Sequence, residues 1–229
     1  MAKDVDYNDY FQLGNPLTKV KSVISQRARN QMYALFSSLV QPSANDTVLD
    51  MGVTPDTSLP ESNYFEKLYP YPQNITMSTI EEAKFLEQEF PGTRFVQNKA
   101  GERFPFEDKQ FDILFCSAVL EHVGDDREQE FFVRECIRVA KKIYLATPDK
   151  AFPIEFHTYL PFVHYLPRPV HQKILRAVKM DFWAETANLN LLTQKRLYEM
   201  VPSGLRSRAK IHRNRLLGIT TNLVLYVED

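Results

Sequence analysis

The chain reads as an α/β protein built on a doubly wound, mostly parallel sheet. Three observations lead there. Short apolar runs without alternation, at residues 47–52, 111–117 and 142–147, suit strands buried on both faces. Stretches with helical spacing lie between and after them, at 80–90 and 124–140, and a repeated strand–helix pattern implies crossover connections and parallel strands. The central run ends on the small residues Cys116, Ser117 and Ala118, which leaves room at the strand's carboxyl end, where open α/β sheets take their ligands. Glu121 and His122 follow at once, placing two titratable groups at the rim of that crevice.

In chain order, residues 1–20 are polar and aromatic, broken by Gly14, Asn15 and Pro16, and residues 1–25 read as an N-terminal arm or lid. Met32, Leu35, Phe36, Leu39 and Val40 recur at helical spacing over 26–40, ending in the turn residues 41–46. The first strand, 47–52, closes on Asp50 and Gly52, an acid and a glycine where backbone can approach a ligand closely. A short helix at 63–68 stops at Tyr69-Pro70-Tyr71-Pro72. A second strand at 74–78 leads into Thr79-Ile80-Glu81-Glu82, which has the form of a capping box with Thr79 as N-cap of a helix over 80–90. Residues 93–97 form the third strand.

After the helix at 124–140 and the strand at 142–147, residues 151–168 are rich in aromatics and proline without a period. A long insertion after a strand's carboxyl end is a functional position. Residues 151–205 therefore read as a substrate-side cap on a single domain spanning 1–229. Helices at 171–180 and 193–200 precede a basic run, 206–215, expected as a solvated strand edge; contact with phosphate or anionic lipid is its alternative. The chain closes on an apolar strand at 221–227.

Composition narrows the function. With 229 residues and a formal net charge of -1, the chain lacks the basic excess of a dedicated nucleic-acid binder. Cys116 and Cys136 belong to no CxxC or Cys/His cluster, so free buried thiols in a reducing cytoplasm are expected, and no metal site. No run approaches the roughly 20 apolar residues of a membrane span, leaving peripheral membrane contact as the membrane option. The expected location is cytoplasmic. Only Gly52 of a G-x-G-x-x-G fingerprint is present, which disfavours a nicotinamide oxidoreductase.

Val48-Leu49-Asp50-Met51-Gly52, then Gly101 to Phe106 before Phe111-Asp112, then Ala118-Val119-Leu120-Glu121-His122-Val123, resemble in order and spacing the class I S-adenosylmethionine (SAM)-dependent methyltransferases. The likeness covers roughly residues 45–150 and is to the small-molecule type. Residues 52–80 and the loop around His157 are also similar to a bacterial subgroup associated with cell-surface polysaccharide genes.

This resemblance implies a Rossmann-like methyltransferase fold with SAM as cofactor. Asp50, Gly52 and Thr54 would border its methionine part, and Thr79 and Ile80 would stand at the ribose. Gly101 and Glu102 would lie at the adenine, with Ser117 and Ala118 beneath. Thr54 and Asp56 stand where the family has glycines, Thr79 where it has an acid, and Ala100 where it has an aspartate, so Glu81 or Glu82 would have to reach the ribose. The acceptor is expected to be a small molecule or glycan, methylated at oxygen. His122 and His157 are the candidate bases, oriented by Glu155 or Glu121. The altered cofactor loop supports a second reading, a catalytically inactive methyltransferase-like binding or scaffold protein.

Overall fold

The computed structural model describes residues 16–57, 59, 61–216 and 218–228. Most of the proposed arm, residues 1–15, lies outside them. Among the described residues, seven strands form one sheet: β1 (Val48–Met51), β2 (Ile75–Thr79), β3 (Arg94–Gln97), β4 (Phe111–Ser117), β5 (Ala140–Pro148), β6 (Ala209–Leu216) and β7 (Ile219–Glu228). Their order is β3-β2-β1-β4-β5-β7-β6. β1 to β5 are parallel, whereas β7 runs antiparallel to both β5 and β6. The order reverses between β1 and β4, so the crevice beyond their carboxyl ends is the topological switch point where such sheets bind ligands.

Apolar side chains cover both faces, as the unalternating strand sequences require. One face receives α4 (Asp126–Val139) and α7 (Gln194–Glu199), with Phe132, Cys136, Leu197 and Met200 packed on Leu49, Leu114 and Leu145. The other receives α1 (Pro16–Val40) and α2 (Tyr64–Leu68). There Phe115 stacks on Phe65 at 4.1 Å and on Tyr144 at 5.4 Å, and Phe36 meets Phe65, Phe115 and Tyr144 edge-on. Offset stacks and edge contacts each add about 0.5–1.5 kcal/mol beyond burial. Both cysteines are buried and free.

Three local expectations change. The leading helix begins at Pro16 rather than near Gln26, so residues 16–25 form its first turns. Thr79 is the last residue of β2, not a helix cap: it pairs with Gln97 and its carbonyl accepts the Asn98 N–H at 3.0 Å. The expected helix over 80–90 contracts to α3 (Leu86–Glu89), and Glu82 accepts from the Lys84 N–H in a tight turn. A full capping box forms instead at α4, where Asp125 accepts from the Arg127 and Glu128 N–H groups and Glu128 accepts from the Asp125 N–H. In the basic run, Ser203–Arg208 is a 3₁₀ turn and β6 is the edge strand that follows it.

Candidate functional site

Two groups of polar side chains gather at the carboxyl ends of the central strands. The first lies around β1. Gly52 leaves the strand with φ 107°, and its N–H reaches the Ser78 carbonyl at 2.7 Å. A Cβ at this position would stand 2.1 Å from Val119 Cγ2, so the close approach of the β4 loop requires glycine. Thr54, in place of a second glycine, is tied to Asn63 by a reciprocal pair: the Thr54 N–H donates to Oδ1 at 2.9 Å and Nδ2 donates to the Thr54 carbonyl at 2.8 Å. That pair fixes the loop entering α2. Tyr64 then donates from its hydroxyl to Ser117 Oγ at 3.1 Å, and the Arg29 guanidinium lies 5.6 Å from the Tyr64 ring centre.

Asp50 and Glu66 are both buried in this group. Burial raises the Asp50 pKa well above the usual carboxylate range, and the Glu66 charge beside it adds to the shift. Glu66 is raised by burial as well, with the neighbouring Asp50 carboxyl acting against that rise. Among the described residues no N–H or O–H serves either Glu66 oxygen. Two buried carboxyls side by side resist carrying two negative charges, which is why both are raised. Nothing in the sequence separates Glu66 from an ordinary exposed glutamate on a short helix, and sequence reasoning missed it.

The remaining cofactor candidates are more dispersed. Thr79 is buried at the end of β2, and Ile80 beside it is exposed. Glu81 and Glu82 are exposed. Gly101 has φ 70° with open space around it, and Glu102 pairs with Lys99 at 3.6 Å on the surface. Ala118 takes φ 58°, and its N–H donates to the Ala146 carbonyl at 2.9 Å, which turns the chain back after Ser117. Asn98, not singled out from sequence, sits buried after β3, with Nδ2 on Met51 Sδ at 3.1 Å and Oδ1 without a partner among the described residues.

The second group contains both candidate bases. His122 lies in the 3₁₀ turn Leu120–His122, and its Nδ1 is 2.7 Å from the Asn188 carbonyl oxygen. A carbonyl only accepts, so Nδ1 carries the proton and Nε2 is left free. His157 Nδ1 lies 2.6 Å from Glu155 Oε1. The two imidazoles meet edge to face at 4.7 Å, and Trp183, from α6 (Asp181–Ala184), packs 4.9 Å from His157 and 6.0 Å from His122. Glu155 is buried, and burial works against its charge. The His157 ring and N–H, with the Thr158 N–H, outweigh that and hold its pKa down at about 2. Glu121 is fully buried: Oε2 accepts from Thr147 Oγ1 at 2.9 Å, and Oε1 has no hydrogen-bond partner and lies 4.0 Å from His122 Nε2.

The insertion after β5 is pinned to bring His157 here. Tyr165 donates to the Ala151 carbonyl at 2.6 Å, His164 Nε2 sits 2.9 Å from the Phe152 carbonyl, and Ile154 bridges Pro161. Phe156, Tyr159, Phe162 and Tyr165 of this segment remain exposed. Trp183 and Asn188 were not foreseen, because their contacts join segments far apart in sequence. One ligand atom from each of Glu121, His122 and His157 falls within 4.8 Å of the others.

A family profile described as "Methyltransferase domain" matches residues 62–143. Among curated proteins no relative is matched. Solved structures share the architecture. The PH0226 protein from Pyrococcus horikoshii OT3 aligns with TM-score 0.56 at 12% identity, over 98% of this chain and 97% of that one. The magnesium protoporphyrin IX methyltransferase from Synechocystis PCC 6803, solved with bound SAH, aligns with TM-score 0.53 at 13% identity, over 94% and 88%. The CurJ carbon methyltransferase aligns with TM-score 0.54 at 12% identity, over 97% of this chain and 58% of that one. At these identities the structural likeness establishes the fold. The matched profile spans β2 to β5, the parallel half of the sheet, and the strand order of the whole sheet is the one these structures share.

Proposed function

We propose that the enzyme methylates an oxygen atom of a small molecule or glycan, with SAM held at the β1 crevice and the acceptor beneath the 151–205 cap. One observation carries the acceptor side: His157, fixed on Glu155 at 2.6 Å, faces His122 at 4.7 Å on the loop leaving β4. A hydroxyl acceptor must lose its proton as it reacts, and a positioned base contributes about 10²–10⁴-fold. The exposed aromatic rings of the cap suit an acceptor with sugar or aromatic faces. They also support the polysaccharide-linked subgroup as the narrower assignment.

The residues at β1 fit the cofactor's charge. SAM supplies a methyl already activated on a sulfonium, and its amino-acid end adds an ammonium. A buried carboxyl pair with two oxygens lacking donors suits such a cation better than it suits an anion or an apolar group. Asp50 and Glu66 would receive the positive charge, with Gly52 and the Thr54–Asn63 pair shaping the loop beside them. Ser117, held by Tyr64, and Ala118 would floor the crevice. Among the described residues no helix is long and apolar enough to cross a membrane.

The test uses methyl-labelled SAM with the purified protein and separate metabolite, glycan, protein and nucleic-acid fractions. The expected result is label in the metabolite or glycan fraction, on oxygen by NMR, with His157→Ala lowering kcat about 10²-fold. Label confined to protein or nucleic acid, or attached to nitrogen or carbon, contradicts the reading.

A further inference from the structure

We propose that Glu121, His122 and His157 form a binding site for a divalent transition-metal ion, with the two imidazole Nε2 atoms and Glu121 Oε1 as ligands. Four observations carry this. First, three ligand atoms, one from each residue, lie within 4.8 Å of one another. Second, both imidazoles are oriented through Nδ1. His122 Nδ1 faces the Asn188 carbonyl at 2.7 Å and His157 Nδ1 faces the Glu155 carboxylate at 2.6 Å. Metal-binding histidines use the far nitrogen in this way, on a backbone carbonyl or a carboxylate, which fixes the ring and strengthens its free lone pair.

Third, Glu121 is fully buried, yet Oε1 has no hydrogen-bond partner while Oε2 is held by Thr147. An unpartnered carboxylate oxygen at such a site costs stability unless something positive meets it. His122 Nε2, at 4.0 Å, is too distant to serve as a hydrogen-bond donor to it. Bonds of about 2.0–2.1 Å to a four-coordinate ion bring neighbouring ligands to roughly 3.3 Å, so modest contraction of the trio satisfies the stranded oxygen. Fourth, an entry path exists, since the side chains of His122 and His157 keep 34% and 19% of their surface exposed.

Two imidazoles and one carboxylate suit zinc and its neighbours in the first transition row, rather than calcium or magnesium. Three protein ligands leave a position open. Its occupant rests on the oxygen-acceptor reading above: a hydroxyl oxygen of the substrate, acidified by the ion as a bound water would be, its proton passing to solvent because with the ion bound both imidazoles act as ligands and not as bases. The ion site itself does not depend on that reading.

Tag-free full-length protein, stripped with a chelator and dialysed, is titrated with cobalt(II) and followed by its visible d–d absorption. One equivalent per chain is expected, with the band abolished in Glu121→Gln and His157→Asn. Glu155→Gln removes no ligand and guards against a variant that merely fails to fold; it should weaken binding about 10–100-fold. Far-UV circular dichroism and SAM calorimetry on the same samples report folding and the cofactor site separately. SAM binding without a cobalt band in the wild type overturns the metal site and leaves the methyltransferase reading intact. A cobalt band that persists unchanged in both ligand variants also overturns it. A band lost in both variants while circular dichroism shows them folded, and weakened in Glu155→Gln, upholds it.

Discussion

Val119 lies directly over Gly52, close enough that a Cβ on the glycine would stand 2.1 Å from Val119 Cγ2. The two residues join the loop after β1 to the loop after β4, the walls of the switch-point crevice. Gly52→Ala therefore carries two penalties: a side chain at φ 107° and a steric clash. Together these should destabilise the protein by about 2–4 kcal/mol in urea melts. Adding Val119→Ala should return the clash part, leaving about 1 kcal/mol of backbone strain beyond the cost of Val119→Ala itself. Strict additivity of the two substitutions would show that the loops do not press on one another.

Glu66 lacks hydrogen-bond donors and is buried beside Asp50, so Glu66→Gln should stabilise the cofactor-free protein while weakening SAM binding. The sign of the pH dependence follows from the raised pKa values of the pair. Carboxyls whose folded pKa is raised contribute stability below the unfolded value, near pH 4, and that contribution is lost as pH rises through the folded values. The advantage of Glu66→Gln should thus grow from about pH 4 towards neutrality, by 1 kcal/mol or more in thermal melts. A constant difference across that range would show that Glu66 does not titrate between pH 4 and neutrality.

Arg138 fastens the loop before β4 to α4. Its guanidinium grips Glu135 through Nε at 2.8 Å and Nη2 at 2.7 Å, and it donates to the Phe106 and Phe104 carbonyls at 2.8 and 3.2 Å. Burial opposes the Glu135 charge, but Arg138 and the Phe104 N–H outweigh it and lower the pKa. A depressed carboxylate contributes stability above its unfolded pKa and loses it as pH falls through the folded value. Glu135→Gln should cost about 1.5–3 kcal/mol at pH 7 and flatten the acid loss of stability below about pH 4. Acid titrations of both proteins, followed by fluorescence, check this.

Asp125 caps α4 with two N–H contacts at 2.8 and 3.0 Å, and Gly124 before it has φ 48° with Glu128 against it. Asp125→Ala should cost about 1 kcal/mol, and Asp125→Ser a fraction of that. Equal losses for alanine and serine in urea melts would mean that the carboxylate acts other than as a cap.

The parallel core was legible because β1, β4 and β5 are apolar on both faces, a pattern that few other elements share. The antiparallel entry of β7 was not. Residues 223–227 are as apolar as a central parallel strand, and strand direction depends on the connection through the β6–β7 hairpin rather than on local pattern. Thr79 misled for a physical reason: Thr and Glu at capping-box spacing predict a helix start, but the ladder with β3 already engages the Thr79 carbonyl. At the site, His122, His157 and their candidate partners Glu121 and Glu155 are visible from residue type and position. That the four meet with Trp183 around one point follows only from the pinned insertion. Glu66 leaves no mark in the sequence, since burial of a single glutamate on a short helix has no pattern.

In the proposed complex the Asp50–Glu66 carboxyl pair at the switch point receives the cofactor's positive charge. Isothermal calorimetry of SAM with wild-type protein and Glu66→Gln, each at pH 7.5 in two buffers of different ionisation enthalpy, tests it most directly. One SAM per chain is expected, with binding about tenfold or more weaker in the variant, and with proton release on binding to the wild type that is reduced in Glu66→Gln. SAM binding of equal strength in both proteins, with no proton release in either, would contradict it.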